Sequence, residues 1–366
     1  MQNFRPRVAV IGAGIFGVNI AIDTSDFADV TVYEKNSGIL CEGSFVNQFR
    51  HHVGYHYPRS AETVVDIQES AGVFEERYSR ALVTDTPTYY GIAKEGSNVT
   101  ADEFLAFCDR HGLPYTKEEP NVGYFNKDLL TLTIKVPEPS YHFETMQSIV
   151  NDLLQERKNH INIKFNQKVT NCLIKNDKKI VSSVGAADEV YEEEYDFVVN
   201  ATYAYLNNFT QWLELKPFPI RVDLAEVLIV KVPGPQYSLT VMDGPFATIM
   251  PTGNPNEYTL YHAQHSILDR YTPEDGLVKV VNKIVSNKEE IFRQSLRLFP
   301  FLKDAEVVET RVVHRGVLAN HEHDDSRVAD IISHGFGCWS VLSGKKLSSV
   351  RTSQRIKSFI LDSFEK

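Results

Sequence analysis

The chain predicts an α/β fold built around a dinucleotide-binding strand–helix–strand unit, and three features of its first 34 residues carry that prediction. An apolar run at residues 8–11 enters the turn Gly12-Ala13-Gly14-Ile15-Phe16-Gly17. A helical stretch follows. A second apolar run at residues 30–33 then ends on the acid Glu34. Gly12 permits the tight turn out of the strand, Gly14 lets backbone come close to a pyrophosphate, and Gly17 lets the helix pack on the sheet. The helix start at Ile15 and Phe16 offers unpaired N–H groups and a partial positive charge to phosphates. Glu34, about 20 residues on, is placed to accept hydrogen bonds from adenosine ribose hydroxyls. An acid there favours NAD or FAD over NADP, whose 2′-phosphate it would repel.

At 366 residues there is room for two domains, or for one large α/β unit with an inserted lobe. A net charge of −10 argues against a nucleic-acid surface, which needs a basic stripe, but leaves room for a locally basic pocket. Aromatic residues at 11% fit a well-lined ligand cavity or simply a large core. Arg5 and Arg7 precede an apolar run as in a signal peptide, yet the glycines account for that run and no small-residue cleavage site fits before Asp23. No stretch reaches the roughly 18 to 20 apolar residues of a membrane span. Cys41, Cys108, Cys172 and Cys338 are dispersed, with no CxxC, so neither a disulfide framework nor a zinc knuckle is expected. The resulting expectation is a cytoplasmic protein with no integral membrane segment and no nucleic-acid partner.

Along the chain, a polar, glycine-bearing segment (36–59) precedes a predicted helix at 61–79, whose apolar residues recur at helical spacing. Strand-like pieces between 88 and 135 (YYGIA, VGYFN, LLTLTIKV) surround a short helix at 101–111. A second long helix is predicted at 142–158, then strands INIKFNQKV and TNCLIK and the apolar strand leading into Asn200. Further strands follow between 220 and 260, then an amphipathic helix at 273–298. A strand region (ETRVVHRGVLA) comes next, then HGFGCWSVLSGK, and finally a helix at about 345–364.

Several segments resemble the D-amino acid oxidase-like (DAO) flavoprotein superfamily. DFVVNATYA (196–204) is similar to its D-x-V-V-N-A strand, Val169 matches the residue whose backbone meets the adenine, and GFGCWSVLSGK resembles the loop and helix start over the flavin pyrimidine. Asn47-Gln-Phe-Arg-His-His52-Val-Gly54-Tyr-His56-Tyr57 resembles the H-x-G-x-x-Y segment of glycerol-3-phosphate and L-2-hydroxyglutarate dehydrogenases. Ser343-Gly344-Lys345 is similar to the G-G-K turn of the former. The resemblance implies FAD as cofactor, held in a Rossmann-type domain of residues 1–84, 141–214 and 306–366. It also implies a second, α+β substrate domain of residues 85–140 and 215–305, built on an antiparallel sheet. The implied FAD contacts are Gly12, Gly14, Ile15, Phe16, Gly17, Glu34, Lys35, Ser44, Asn47, His52, Val169, Asn200, Ala201, Thr202, Gly337, Ser343, Gly344 and Lys345. Two positions depart from the pattern: His56 stands where the glycerophosphate group has a substrate-binding arginine, and Tyr203-Ala204 stands in place of small residues.

The expected activity is oxidation of a CH–OH group of a small, polar, anionic substrate, a hydroxy acid or sugar derivative, with hydride passing to flavin N5. Oxidation of a C–N bond and a redox-silent use of FAD are the alternatives. The electron acceptor, O2 or another, is open, and so is covalent attachment near Cys41 or the histidines. His56 is the candidate base, because imidazole titrates near neutrality; a plain backbone contact would also account for it. His314 and Arg315 stand where the resemblance places groups that meet the substrate's polar end, Arg315 as a candidate clamp for a carboxylate or phosphate with Arg50 and Arg59 as rivals. Tyr261 and His265 would share a strand face toward the flavin, with His262 turned away. No metal is expected: His321-Glu-His323-Asp-Asp325 has no remote ligand at recognisable spacing and reads as a solvated loop.

Overall fold

The computed structural model describes residues 5–279, 281, 283–319 and 329–364; the His321–Asp325 segment lies outside them. A six-stranded sheet carries the predicted N-terminal unit. Its order runs Asp330–Gly335, Cys338–Leu342, Phe197–Asn200, Arg7–Ile11, Asp29–Tyr33 and Ile161–Lys164. The pairings are parallel except between the first two strands, which form a hairpin. Parallel strands covered on both faces read as continuous apolar runs, which is why RVAVI and FVVN were so legible. Every residue of the helix Ile15–Thr24 is buried. It is sandwiched between this sheet and the C-terminal helix Ser348–Phe364, where Asn19 Nδ2 donates to Ser349 Oγ at 3.1 Å.

Gly17 is a close-approach position. A Cβ built there would lie 1.9 Å from the backbone carbonyl oxygen of Gly12. Neither group is free to move, since Gly12 N donates to Tyr33 O at 2.8 Å. Gly17→Ala is expected to cost about 1–3 kcal/mol, the usual range for overpacking. The urea midpoint of the apoprotein checks this, and an unchanged midpoint would refute the close approach.

The second sheet has eight strands: Ile267–Tyr271, Ile220–Lys231, Glu257–His262, Ala247–Pro251, Ser238–Met242, Thr88–Ala93 and Leu130–Val136 in order, with Glu306–Leu318 paired along Ile220–Lys231. It is antiparallel except for one parallel pair, Ser238–Met242 with Thr88–Ala93. Glu306–Leu318, expected in the cofactor domain, is therefore part of this sheet, in register with Ile220–Lys231 over almost its whole length. A three-stranded antiparallel sheet (Lys168–Lys175, Lys178–Val184, Val190–Tyr195) attaches to the first.

Two further expectations are corrected. The helix predicted at 273–298 begins only at Lys288. Ahead of it Gly276 adopts φ +74° against Asn207, while Ser286 and Asn287 donate to buried Glu226. VGYFN is a turn through Gly123 (φ +91°), not a strand; its Tyr124 and Phe125 pack in an aromatic cluster with Phe299 and Phe301. Among the described residues no helix is long and apolar enough to cross a membrane.

Candidate active site

The ends of the parallel strands open on a cavity of about 530 Å³. Gly12 leaves the first strand at φ +101°, so close to the next strand that a Cβ would meet Ala201 O at 2.9 Å. Gly14 caps the helix, and Ile15 N donates to Ser44 Oγ at 2.9 Å. Glu34 is buried at the end of the second strand; its carboxylate accepts from Ala13 N and Asn36 N. The lining also takes in Phe16, Lys35, Val169, Thr202, Ser343 and Gly344. Asn200 is fully buried and shapes the next turn, donating to Leu206 O and Ser340 Oγ. Lys35 is paired with Glu42 at 3.0 Å and lies over the Tyr205 ring.

A second cavity of about 230 Å³ adjoins the first, and the two share Gly43, Tyr203, Gly344 and Lys346. Its floor is the eight-stranded sheet. Strand register places Tyr90, Thr240, Thr248 and Tyr261 in one row across four neighbouring strands. Arg315 reaches the floor from the edge strand and donates to Tyr261 Oη at 2.8 Å; Tyr261 raises its guanidinium above the ordinary arginine value against the opposing effect of burial. Alternation along that strand turns the adjacent His314 the other way, into the first cavity, where its Nδ1 lies 3.2 Å from Tyr205 Oη.

The segment 43–57 forms one wall. Arg50 is locked in place: its terminal nitrogens donate to Tyr90, Glu138, Thr240 and Thr248, and side-chain exposure is 1% for Arg50 and 0% for Glu138. His52, His56 and Tyr57 cluster with ring centroids 5.4–5.7 Å apart. Burial, then the Lys345 charge, holds His52 well below its usual value, so it is neutral near pH 7. Opposite them the turn after the last strand supplies two lysines. Lys345 Nζ lies 4.4 Å from the Tyr57 ring centre, and burial and Arg50 push it down to about 7. Lys346 Nζ lies over the Phe49 and Tyr141 rings, and burial pushes it to about 7 as well. Among the described residues no Asp or Glu lines this cavity.

The expected site residues divide accordingly. Gly12, Gly14, Ile15, Phe16, Glu34, Lys35, Ser44, Val169, Asn200, Ala201, Thr202, Ser343 and Gly344 come together around the first cavity, joined by His314 and Cys41. Asn47, His52, His56, Tyr261, Arg315 and Lys345 line the second. Gly17 serves packing. Gly337 is corrected: it sits in the hairpin turn at the opposite end of the strand, its carbonyl accepting from Val198 N and its Cα against Phe197. His265 is corrected too, because the strand stops at His262. His265 lies in the following turn, its ring tilted against His262 with centroids 4.5 Å apart, and faces Glu290. Arg59 is engaged by Asp243. Lys346 also lines both cavities and Gln48 the second, neither of them among the expected contacts, and Tyr203, noted only as a departure from the family pattern, stands between the two cavities; the tandem Lys345-Lys346 after a serine–glycine turn is the one sequence signal for Lys346.

Both cavities fit a flavin dinucleotide. Backbone without Cβ atoms, a helix start and a buried acid suit the nucleotide half. In the second cavity Gln48 Nε2, Arg50 Nε, His52 Nδ1, Tyr57 Oη and Lys346 Nζ are buried with no hydrogen-bond partner among the described residues. Buried polar atoms without partners are rare in folded chains, and a cluster of them points to a polar ligand.

Comparison with known proteins agrees. A family model described as FAD-dependent oxidoreductase (DAO) matches residues 7–344. The FAD-dependent monooxygenase FPY4 of Fusarium mangiferae is 24% identical over 268 residues, which is 72% of this chain and 66% of that protein. The matched region thus spans just under two-thirds of that relative. Similar solved structures include glycine oxidase from Geobacillus kaustophilus (14% identity, TM-score 0.74, 98% of this chain and 95% of that one). L-proline dehydrogenase from P. horikoshii is also similar (15%, 0.75, 98% and 94%). So is the FAD complex of glycerol-3-phosphate dehydrogenase from Bacillus halodurans (14%, 0.67, 100% and 66%). At these identities the shared property is the fold.

Proposed function

We propose that this chain, which belongs to the DAO family of FAD-dependent oxidoreductases, oxidises a CH–OH group of a small, polar, anionic substrate, a hydroxy acid or sugar derivative. The observation that carries this is the charge of the second cavity. Arg50, which is paired with Glu138, and Arg315, Lys345 and Lys346 line it, and among the described residues no carboxylate does, within a chain of net charge −10. Such a lining attracts an anion. It would repel the ammonium of an amine substrate, which argues for an alcohol over a C–N bond.

FAD supplies the redox chemistry by accepting a hydride at its N5. Gly12, Gly14, Ile15, Phe16, Glu34, Lys35, Ser44, Val169, Asn200, Ala201, Thr202, Ser343 and Gly344 would hold it. Lys345 adds a cation where charge builds up. Arg315, fixed by Tyr261 on the sheet floor, adds to the positive field of the cavity. His56 takes the hydroxyl proton. His52 is neutral and serves as a hydrogen-bonding neighbour.

Anaerobic mixing of the FAD-loaded protein with candidate substrates tests the reading. Bleaching of the flavin by 2-hydroxy acids or polyol phosphates is the expected result. Bleaching by amino acids alone would replace it with C–N oxidation, and no bleaching by either would overturn the redox assignment.

A further inference from the structure

We propose that the anionic group of the substrate is received by Lys346, and not by either arginine of the cavity; the proposal rests on the anionic-substrate reading above. Elimination among the cations leads there. Arg50 has its terminal nitrogens committed to four partners and its charge matched by Glu138 at 2.6 Å. Arg315 donates to Tyr261 and stands directly across from Asp223 in the strand register. Lys345 lies over the face of Tyr57.

Lys346 is different. In Arg50 only Nε lacks a partner, whereas in Lys346 the charged Nζ itself is buried with no hydrogen-bond partner among the described residues, walled by Phe49 and Tyr141, at the junction of the two cavities. A buried ammonium without a counter-ion is costly, and one oxyanion supplies both the missing charge and the missing acceptor. A carboxylate and a phosphate present the same chemistry to it.

Proton linkage follows. The free amine loses its proton near pH 7, so above that pH anion binding must draw one in. Affinity should then fall by roughly tenfold per unit as pH rises above 7, until the anion-bound amine itself deprotonates. Other titratable or charged groups face the same space: in the second cavity Lys345, His52, His56, the tyrosines 57, 141, 203 and 261, and both arginines, and in the first Tyr33, Glu34, Lys35, Cys41, Glu42, Lys168, Tyr205, Lys279 and His314. Variants, rather than the slope alone, therefore assign the proton.

The experiment titrates inorganic phosphate and, separately, acetate, a carboxylate with no oxidisable hydroxyl, into the FAD-loaded protein from pH 6 to 9. Binding is read by perturbation of the flavin absorption band and, on the apoprotein, by thermal shift. Lys346→Met is expected to weaken both anions by roughly tenfold or more, the range for a charge-assisted hydrogen bond, while FAD affinity stays within about threefold. Lys346→Arg should bind at wild-type strength at pH 7 and lose the decline between pH 7 and 9, since arginine keeps its proton. Removing an unpartnered buried charge does not endanger folding, so the Met variant is a fair probe. Unchanged anion affinity in that variant, or an equal pH decline in the Arg variant, would overturn the proposal. FAD loss in proportion to anion loss would assign Lys346 to the cofactor instead. Preference for one anion reports whether carboxylate or phosphate is the natural group. A protein that binds anions through Lys346 yet is bleached by no hydroxy compound would defeat the alcohol reading and leave this one standing.

Discussion

Arg50→Met should destabilise the protein by about 3–5 kcal/mol, the largest stability effect expected of a single side chain here. Arg50 and Glu138 are both buried, and the variant leaves Glu138 as a charge without its counter-ion. It also strips donors from Tyr90, Thr240 and Thr248, which lie in one row across the sheet floor. The damage reaches the site, because Glu138 also accepts from Val53 N at 3.0 Å and so anchors the segment that carries His52 and His56. Glu138→Gln in the Arg50→Met background keeps an acceptor for Val53 N and removes the stranded charge. That double variant should recover at least half of the loss. Urea denaturation of the three proteins at pH 7 decides it. A single variant within about 1 kcal/mol of wild type would mean that the pair is not the anchor described, and a double variant no better than the single would place the cost in lost packing instead.

Which features were legible in the sequence follows from how local each one is. The glycine turn, helix, second strand and Glu34 form one continuous unit whose residue types are each dictated by a close contact. The long helices were readable for a similar reason, with start and end residues close to the predicted ones. Pairings between distant segments leave no such trace. Glu138 is 88 positions from Arg50, and nothing around either residue announces the other, so Arg50 looked like a rival substrate clamp. The pairing of Glu306–Leu318 with Ile220–Lys231 is not legible either, because a sheet partner is set by register, not by composition. Gly337 was misplaced because the resemblance ran through both ends of the strand Cys338–Leu342, whereas only the Ser343 end faces the cavities. His265 failed by carrying strand alternation past the last strand residue, His262. Lys346 escaped notice because its meaning comes from Phe49 and Tyr141, aromatic residues supplied by two remote segments.

His56→Ala should slow reduction of the flavin by substrate by about 10²–10⁴-fold, the range for loss of a general base, and leave FAD retention nearly unchanged. The backbone around it argues that the variant will fold. Gly54 adopts φ +133° between Val64 and Leu113, Tyr57 N donates to Gly54 O, and fully buried Tyr55 donates to Pro114 O. These bonds hold the segment without the imidazole. His56 itself lies between two buried tyrosines and faces the second cavity, together with Arg315 and the two lysines. His52 is a poor substitute, since burial keeps its imidazole from holding a proton near neutrality. Stopped-flow reduction under anaerobic conditions measures the rate, and the absorbance of the purified variant measures its FAD content. Added imidazole, small enough for the space left by the missing ring, should restore part of the rate in His56→Ala and none in wild type. Near-normal reduction by the variant would remove His56 from the proton-transfer role. Loss of FAD in step with loss of rate would make it a cofactor contact. Rescue by imidazole with FAD content intact separates a proton acceptor from both.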